Sequence, residues 1–158
     1  MCEYCGCQSL ASIDELTREH DEVVRLISHV RPVRQDGDVD RMAQIAREIT
    51  TVLDPHTQVE EHGLFPAMAG DFPEQIAVLE AEHRRIGAVL AEAADGATSE
   101  DPNWPDRLIE AMALLRDHIL KEQDGVFPAA LANLSTEEWE AVEGVRAQAG
   151  GALSRPAA

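Results

Sequence analysis

Two stretches of the chain place a histidine four residues before a glutamate inside the same frame. HTQVEEHGLFPAM occupies 56–68 and HILKEQDGVFPAA occupies 118–130, both reading H-x-x-x-E-x-x-G-[LV]-F-P-A. On a helix, residues four apart share a face, so each copy can aim an imidazole nitrogen and a carboxylate at one point. Imidazole combined with carboxylate suits iron, zinc or manganese better than magnesium or calcium.

Two further histidines complete a repeat. His20 precedes His56 by 36 residues and His83 precedes His118 by 35, each in a Glu-His pair with an aliphatic face downstream (REHDEVVRLI and AEHRRIGAVL). Four segments carry apolar stripes at helical spacing. The first reads Ile13, Leu16, His20, Val23, Ile27, and the second Met42, Ile45, Ile49, Val52, His56, Glu60, Leu64. The third reads Ile76, Leu79, His83, Ile86, Leu90, and the fourth Leu108, Met112, Leu115, His118, Glu122, Val126.

Every stripe is interrupted by His near the same height, and two also by Glu, with no Lys or Arg on a stripe to pair with Glu60 or Glu122. A buried carboxylate without a partner costs several kcal/mol or takes up a proton. Two divalent cations would remove that cost, and a bridging hydroxide or oxide would lower the positive charge left over. The six residues His20, His56, Glu60, His83, His118 and Glu122 are therefore read as the ligands of a two-metal centre with approximate two-fold symmetry.

Other polar residues fit this scheme less directly. His62 and His29 fall off the stripes and are read as non-ligands. Glu61 is read as a solvated side chain, with orientation of a ligand histidine as the alternative. Glu80 and His83 spell E-x-x-H, a ferritin-type spacing, but the fourth segment has no matching copy. Cys2, Cys5 and Cys7 form C-x-x-C-x-C and are the only cysteines. Three thiols cannot close a four-sulfur metal site, though two could form a reversible disulfide. The segment is either a reduced tail or a redox or metal-delivery element.

The elements that must hold these residues are helical. Apolar residues make up 44% of the chain but aromatics only 4%, with Ala, Leu, Glu and Arg dominating the periodic segments. The first segment is expected to open at Ser12, where SIDE has the form of a capping box, and to break at Pro32 and QDGD. The second opens near Asp38, the third at DFPEQ and the fourth near NWPDR, with a last helix at STEEW. Pro55 cannot donate to the carbonyl of Thr51 and predicts a kink or local break before His56. The expectation is an all-α, up-down four-helix bundle with a short extra C-terminal helix. Residues 1–10 would be a Cys-containing tail, 11–132 the bundle, and 133–158 the short helix with a loose end.

With 30 acidic residues against 13 basic ones, the formal charge is −17, which disfavours nucleic acid and anionic membrane surfaces as partners. No apolar run approaches the roughly 18 residues that would span a bilayer. The N-terminal MCEYCGCQ has neither the basic patch nor the apolar stretch of a secretory signal, so a cytoplasmic address is expected.

The pattern His20, HTQVE, His83, HILKE resembles the hemerythrin-like, or HHE cation-binding, family over about residues 10–130. The resemblance implies a four-helix bundle holding two non-haem iron ions, bridged by carboxylates and by an oxo or hydroxo group. It would place His20 and His56 on one iron, His83 and His118 on the other, and Glu60 and Glu122 between them. The oxygen-carrying members have an extra His one turn from the third-helix ligand, where Leu79 and Gly87 stand here. They also have an Asp five residues after the last His, where this chain has Gln123. Fewer nitrogen ligands leave open positions, which favours reaction with O2, peroxide or NO over reversible O2 storage. The resemblance thus implies a catalase-like or NO-related redox protein acting on a diatomic or peroxide ligand. The alternative is a sensor of O2, NO or iron, or an iron donor that docks a protein partner through its Cys segment.

Overall fold

The computed structural model describes residues 6–96, 98 and 100–153, so Cys2 and Cys5 lie outside the described residues. The described residues form helices and turns without a strand. The long helices are α1 (Cys7–Ile27), α3 (Val39–Val59), α5 (Pro73–Ala94) and α6 (Trp104–Lys121). The short α2 (Val30–Gln35) links the first pair. After α3 comes a π-helical turn (Glu60–Leu64) and then α4 (Phe65–Met68). After α6 comes a second π turn (Glu122–Val126) and then α7 (Phe127–Asn133), before α8 (Thr136–Ala149). Helix α1 packs on α3, α3 on α5, α5 on α6, and α6 returns to α1, which closes the bundle.

Several boundaries follow from local chemistry. Asp38 caps α3 by accepting from the Arg41 N–H, and Ser135 with Glu138 forms a complete capping box on α8. Pro73 sits in the first turn of α5, where its missing N–H is harmless. The start of α1 differs from expectation. The helix begins at Cys7 rather than Ser12, behind Gly6 in the left-handed region (φ 67°), and Gln8 in its first turn donates to Glu143 of α8 at 2.7 Å. The S-x-x-E signal is passed over because α8 supports an earlier turn.

No helix break occurs at Pro55. Helix α3 runs through it to Val59, since proline deletes one donor to Thr51, an exposed residue. The irregularity comes later, and twice. The Phe65 N–H bonds the Glu60 carbonyl and the Phe127 N–H bonds the Glu122 carbonyl, so each repeat carries one widened turn. Pro66 and Pro128 follow directly and could not have donated to the carbonyls four residues back.

The apolar residues form two clusters, one on each side of the polar layer. One includes Val23, Met42, Ile45, Ile49, Leu108 and Met112. The other includes Leu16, Leu64, Phe65, Leu79, Phe127 and, from α8, Trp139 and Val142. Helix α8 closes that end by resting on the first π turn. A methyl group added at Gly63 would lie 3.1 Å from the Cα of Val142, whereas one at Gly125, its repeat equivalent, would meet nothing within 4 Å. Gly63→Ala is therefore expected to lower stability by about 1–3 kcal/mol through backbone displacement. Gly125→Ala is expected to be neutral or to raise stability by up to about 1 kcal/mol. Urea denaturation of both variants checks this, and equal losses would contradict the role given to α8.

Candidate metal centre

The four stripes deliver their polar residues to one layer. His56 and Glu60 straddle the junction of α3 with its π turn, and His118 and Glu122 do the same at the end of α6. His20 and His83 come from within α1 and α5. Glu60 Oε1 lies 2.8 Å from His56 Nε2 and 3.6 Å from His83 Nε2. Glu122 Oε1 lies 3.1 Å from His20 Nε2 and 3.3 Å from His118 Nε2. Each carboxylate therefore faces one imidazole from each half of the repeat. The result is two overlapping four-residue groups, His20/His56/Glu60/Glu122 and His83/His118/Glu60/Glu122, with ligand atoms in each within 4.8 Å of one another.

The outward ring nitrogens are all engaged. Nδ1 of His56 donates to Glu19 at 3.0 Å, Nδ1 of His118 to Glu82 at 3.0 Å, Nδ1 of His83 to Glu61 at 2.9 Å, and Nδ1 of His20 to Gln123 at 3.0 Å. Such bonds fix the ring and turn the Nε2 lone pair inward. The phenylalanines of the two frames cross over: Phe65 stacks on His83 (5.6 Å, 16°) and Phe127 on His20 (5.4 Å, 8°). The shared G-x-F-P thus has a use, because the π turn aims its Phe at the opposite half's imidazole.

A neutral imidazole with its proton on Nδ1 presents a lone pair at Nε2, and at His118 that lone pair faces a carboxylate oxygen of Glu122 at 3.3 Å. Such an arrangement repels unless a proton or a cation lies between. Oε2 of Glu60, Oε2 of Glu122 and Nε2 of His118 are buried without a hydrogen-bond partner, Glu60 Oε1 has the charged His56 at 2.8 Å, and both glutamates have 0% exposure. Nitrogen and oxygen donors converging on orphaned, fully buried carboxylates fit first-row divalent cations.

The sequence profile of the Hemerythrin HHE cation binding domain matches residues 11–130. The chain belongs to this family. No curated protein and no solved structure gave a match. In this HHE domain, the six side chains brought together are those that the repeat singled out. His29 and His62 are exposed, and Glu80 is outside both groups. Cys7 is exposed on the first residue of α1. Glu61 departs from its expected solvated role, because the π turn carries it round to accept from His83.

The outer partners Glu19, Glu82 and Gln123 were not read from the sequence. The Glu-His pairs held the signal for two of them, since the residue before each ligand His lands against the His of the neighbouring helix. Arg146 of α8 had no sequence signal. It bonds both oxygens of Glu19, at 2.6 and 2.9 Å.

Protonation in the metal-free domain follows this geometry. Burial pushes His20 down to about 4, helped by the charge of His56. Burial likewise takes His118 down to about 4 against the pull of Glu60. Burial also opposes the charge on His56, but Glu60 and Glu19 outweigh it and raise His56 to about 9. Burial would raise Glu60, yet His56 holds it at about 2. His56 thus enters metal-free at neutral pH with a proton that a cation must displace. Metal loading at neutral pH is expected to release about one proton per chain or more, measurable with an indicator dye.

The metal-free domain should also be most stable near the ordinary His value of 6.5. Below it, His20 and His118 resist protonation that the unfolded chain accepts, so stability falls as pH drops toward about 4. Above it, the raised His56 loses its contribution as pH climbs through about 9. Thermal melts across this range check both arms, and a flat profile would contradict the assignment.

Proposed function

We propose that this HHE domain is a non-haem di-iron protein that decomposes hydrogen peroxide, with O2 and NO as further small ligands of the same centre. His20 and His56 would hold one ion, His83 and His118 the other, and Glu60 and Glu122 would bridge them. The observation that carries the reading is the pair of fully buried glutamates with orphaned oxygens, each shared between both halves. When bound, the two irons would supply reversible electron transfer to and from peroxide, yielding water and O2.

The chain's own part is positioning and access. A cavity of about 480 Å³ reaches the six residues from between α3 and α5, past Thr50, Leu53, Thr57, Gly87, Leu90 and Ala91. Gly87 stands one turn after His83, and beyond its chain neighbours and its own helix backbone nothing comes within 4 Å of where its Cβ would be. That opening supports entry of a small molecule to the centre. Of the carboxylates lining the cavity, Asp54 is exposed, whereas Glu60 and Glu122 are the bridging groups themselves. Proton handling therefore falls to the ligand set and water rather than to a separate buried base.

Iron-loaded protein is expected to evolve O2 from peroxide. Glu60→Ala is expected to abolish this while far-UV dichroism stays helical, since the apolar clusters on both sides remain. Iron-loaded protein that leaves peroxide untouched would overturn the proposal. An iron donor or sensor working through Cys2, Cys5 and Cys7 is the second reading. It is supported by Cys7 being exposed on the helix that carries His20. Replacing all three with Ser separates the readings: peroxide decomposition survives it, and donation through thiols does not.

A further inference from the structure

We propose that the two halves of the centre are electrostatically unequal, and that the His83/His118 position takes up a divalent cation before the His20/His56 position. The inference rests on the two-metal reading above. The bridging glutamates serve both halves and each half has two imidazoles, so a preference must come from the groups behind the rings.

Behind His83 and His118 stand two carboxylates, Glu61 and Glu82. Behind His56 stands Glu19, but behind His20 stands the neutral amide of Gln123. Positions 61 and 123 are equivalent in the repeat, so the halves differ by one formal charge at that site. A carboxylate accepting the ring proton makes the imidazole a more basic ligand, and its charge favours a cation directly.

The neighbouring cations widen the difference. Arg146 is 7% exposed and grips both oxygens of Glu19, so its positive charge acts in the unscreened interior. Lys121 is 49% exposed and reaches Oε2 of Glu82 at 2.7 Å, while Oε1 stays with His118. Solvent screens that lysine. Glu15 also approaches Arg146, at 3.5 Å from Nε, but sits one helical turn before Glu19, the carboxylate bonded to the ring. Arg146 belongs to α8, beyond the matched residues 11–130, so the imbalance is set partly by an element outside the matched domain.

The test is a Zn²⁺ titration of the metal-free full chain, followed by the ring ¹⁵N resonances of its assigned histidines. At one equivalent, Nε2 of His83 and His118 is expected to shift while His20 and His56 hold until the second, the two affinities differing by about tenfold or more. The paired exchange Glu61→Gln with Gln123→Glu moves the charge across and is expected to erase or reverse the order. Dichroism of the variant confirms the helices are intact. Simultaneous shifts of all four rings over two equivalents, His20 and His56 shifting first, or an order unmoved by the exchange would overturn the inference. Binding that ends at one ion on His83 and His118 alone would support it while sinking the two-ion reading. One ion shifting all four rings would sink both.

Discussion

Glu122→Gln is expected to raise the melting temperature of the metal-free protein and lower that of the metal-loaded one. In the metal-free chain the Nδ1 proton of His118 is given to Glu82, and the His20 ring is bonded on both sides, Nδ1 to Gln123 and Nε2 to Glu122. Burial keeps both rings neutral, with values of about 4, so each has one acceptor nitrogen at neutral pH, and in His118 it is Nε2. The unpartnered Nε2 of His118 lies 3.3 Å from Glu122 Oε1, itself an acceptor, while His20 Nε2 is hydrogen-bonded to that same oxygen at 3.1 Å. An amide nitrogen in place of that oxygen has an N–H donor for His118 Nε2. Converting a buried acceptor clash to a hydrogen bond is worth about 1–3 kcal/mol. For a chain of this size that corresponds to a rise of about 3–8 °C. With metal, the sign reverses, because a neutral amide removes one of the two shared anionic ligands. Bound metal, measured by elemental analysis, should fall below two ions per chain. Calorimetry of both forms checks the crossing, and a variant less stable in both forms would contradict the ligand role of Glu122.

Chelation of the loaded protein is expected to lower its melting temperature by about 10 °C or more while leaving most helicity. An ion at 100 to 1,000 times its dissociation constant adds about 3–4 kcal/mol, and two ions add together. At about 2–4 °C per kcal/mol the combined effect is large. The helices persist because the apolar clusters on either side of the layer do not include the six polar residues. What is lost is the cation that offsets two carboxylates at 0% exposure. Re-addition of ferrous or zinc salt should restore the melt. A melting temperature indifferent to chelator would mean that the layer is structural, its His and Glu satisfied by protons alone.

The chemistry of this chain is legible where it is written at helical spacing. A carboxylate or imidazole on an apolar stripe is conspicuous because burial without a partner is costly, and six of them in a repeat identify one layer. Capping residues Asp38 and Ser135 were legible for the same reason, being local to the backbone groups they satisfy. Two local signals were overridden. Ser12 has the form of a cap, yet α1 starts at Cys7 because Gln8 finds Glu143 on α8. Pro55 signals a break, yet α3 runs on to Val59 and widens afterward.

By itself, then, the sequence determined an all-helical chain, its division into two similar halves, and the six side chains that meet, since periodicity and burial energetics are local properties of each segment. Only the tertiary structure decided which glutamate faces which histidines, that each Phe covers the opposite half's ring, and that Glu19, Glu61, Glu82 and Gln123 hold the imidazoles. The contacts of Glu61, Gln123 and the two Phe residues come from π turns or directly after them, and Arg146 arrives from a distant helix. A one-residue change in helical phase redirects a side chain by about 100°, given 3.6 residues per turn, and no spacing rule built on a uniform helix contains that rotation.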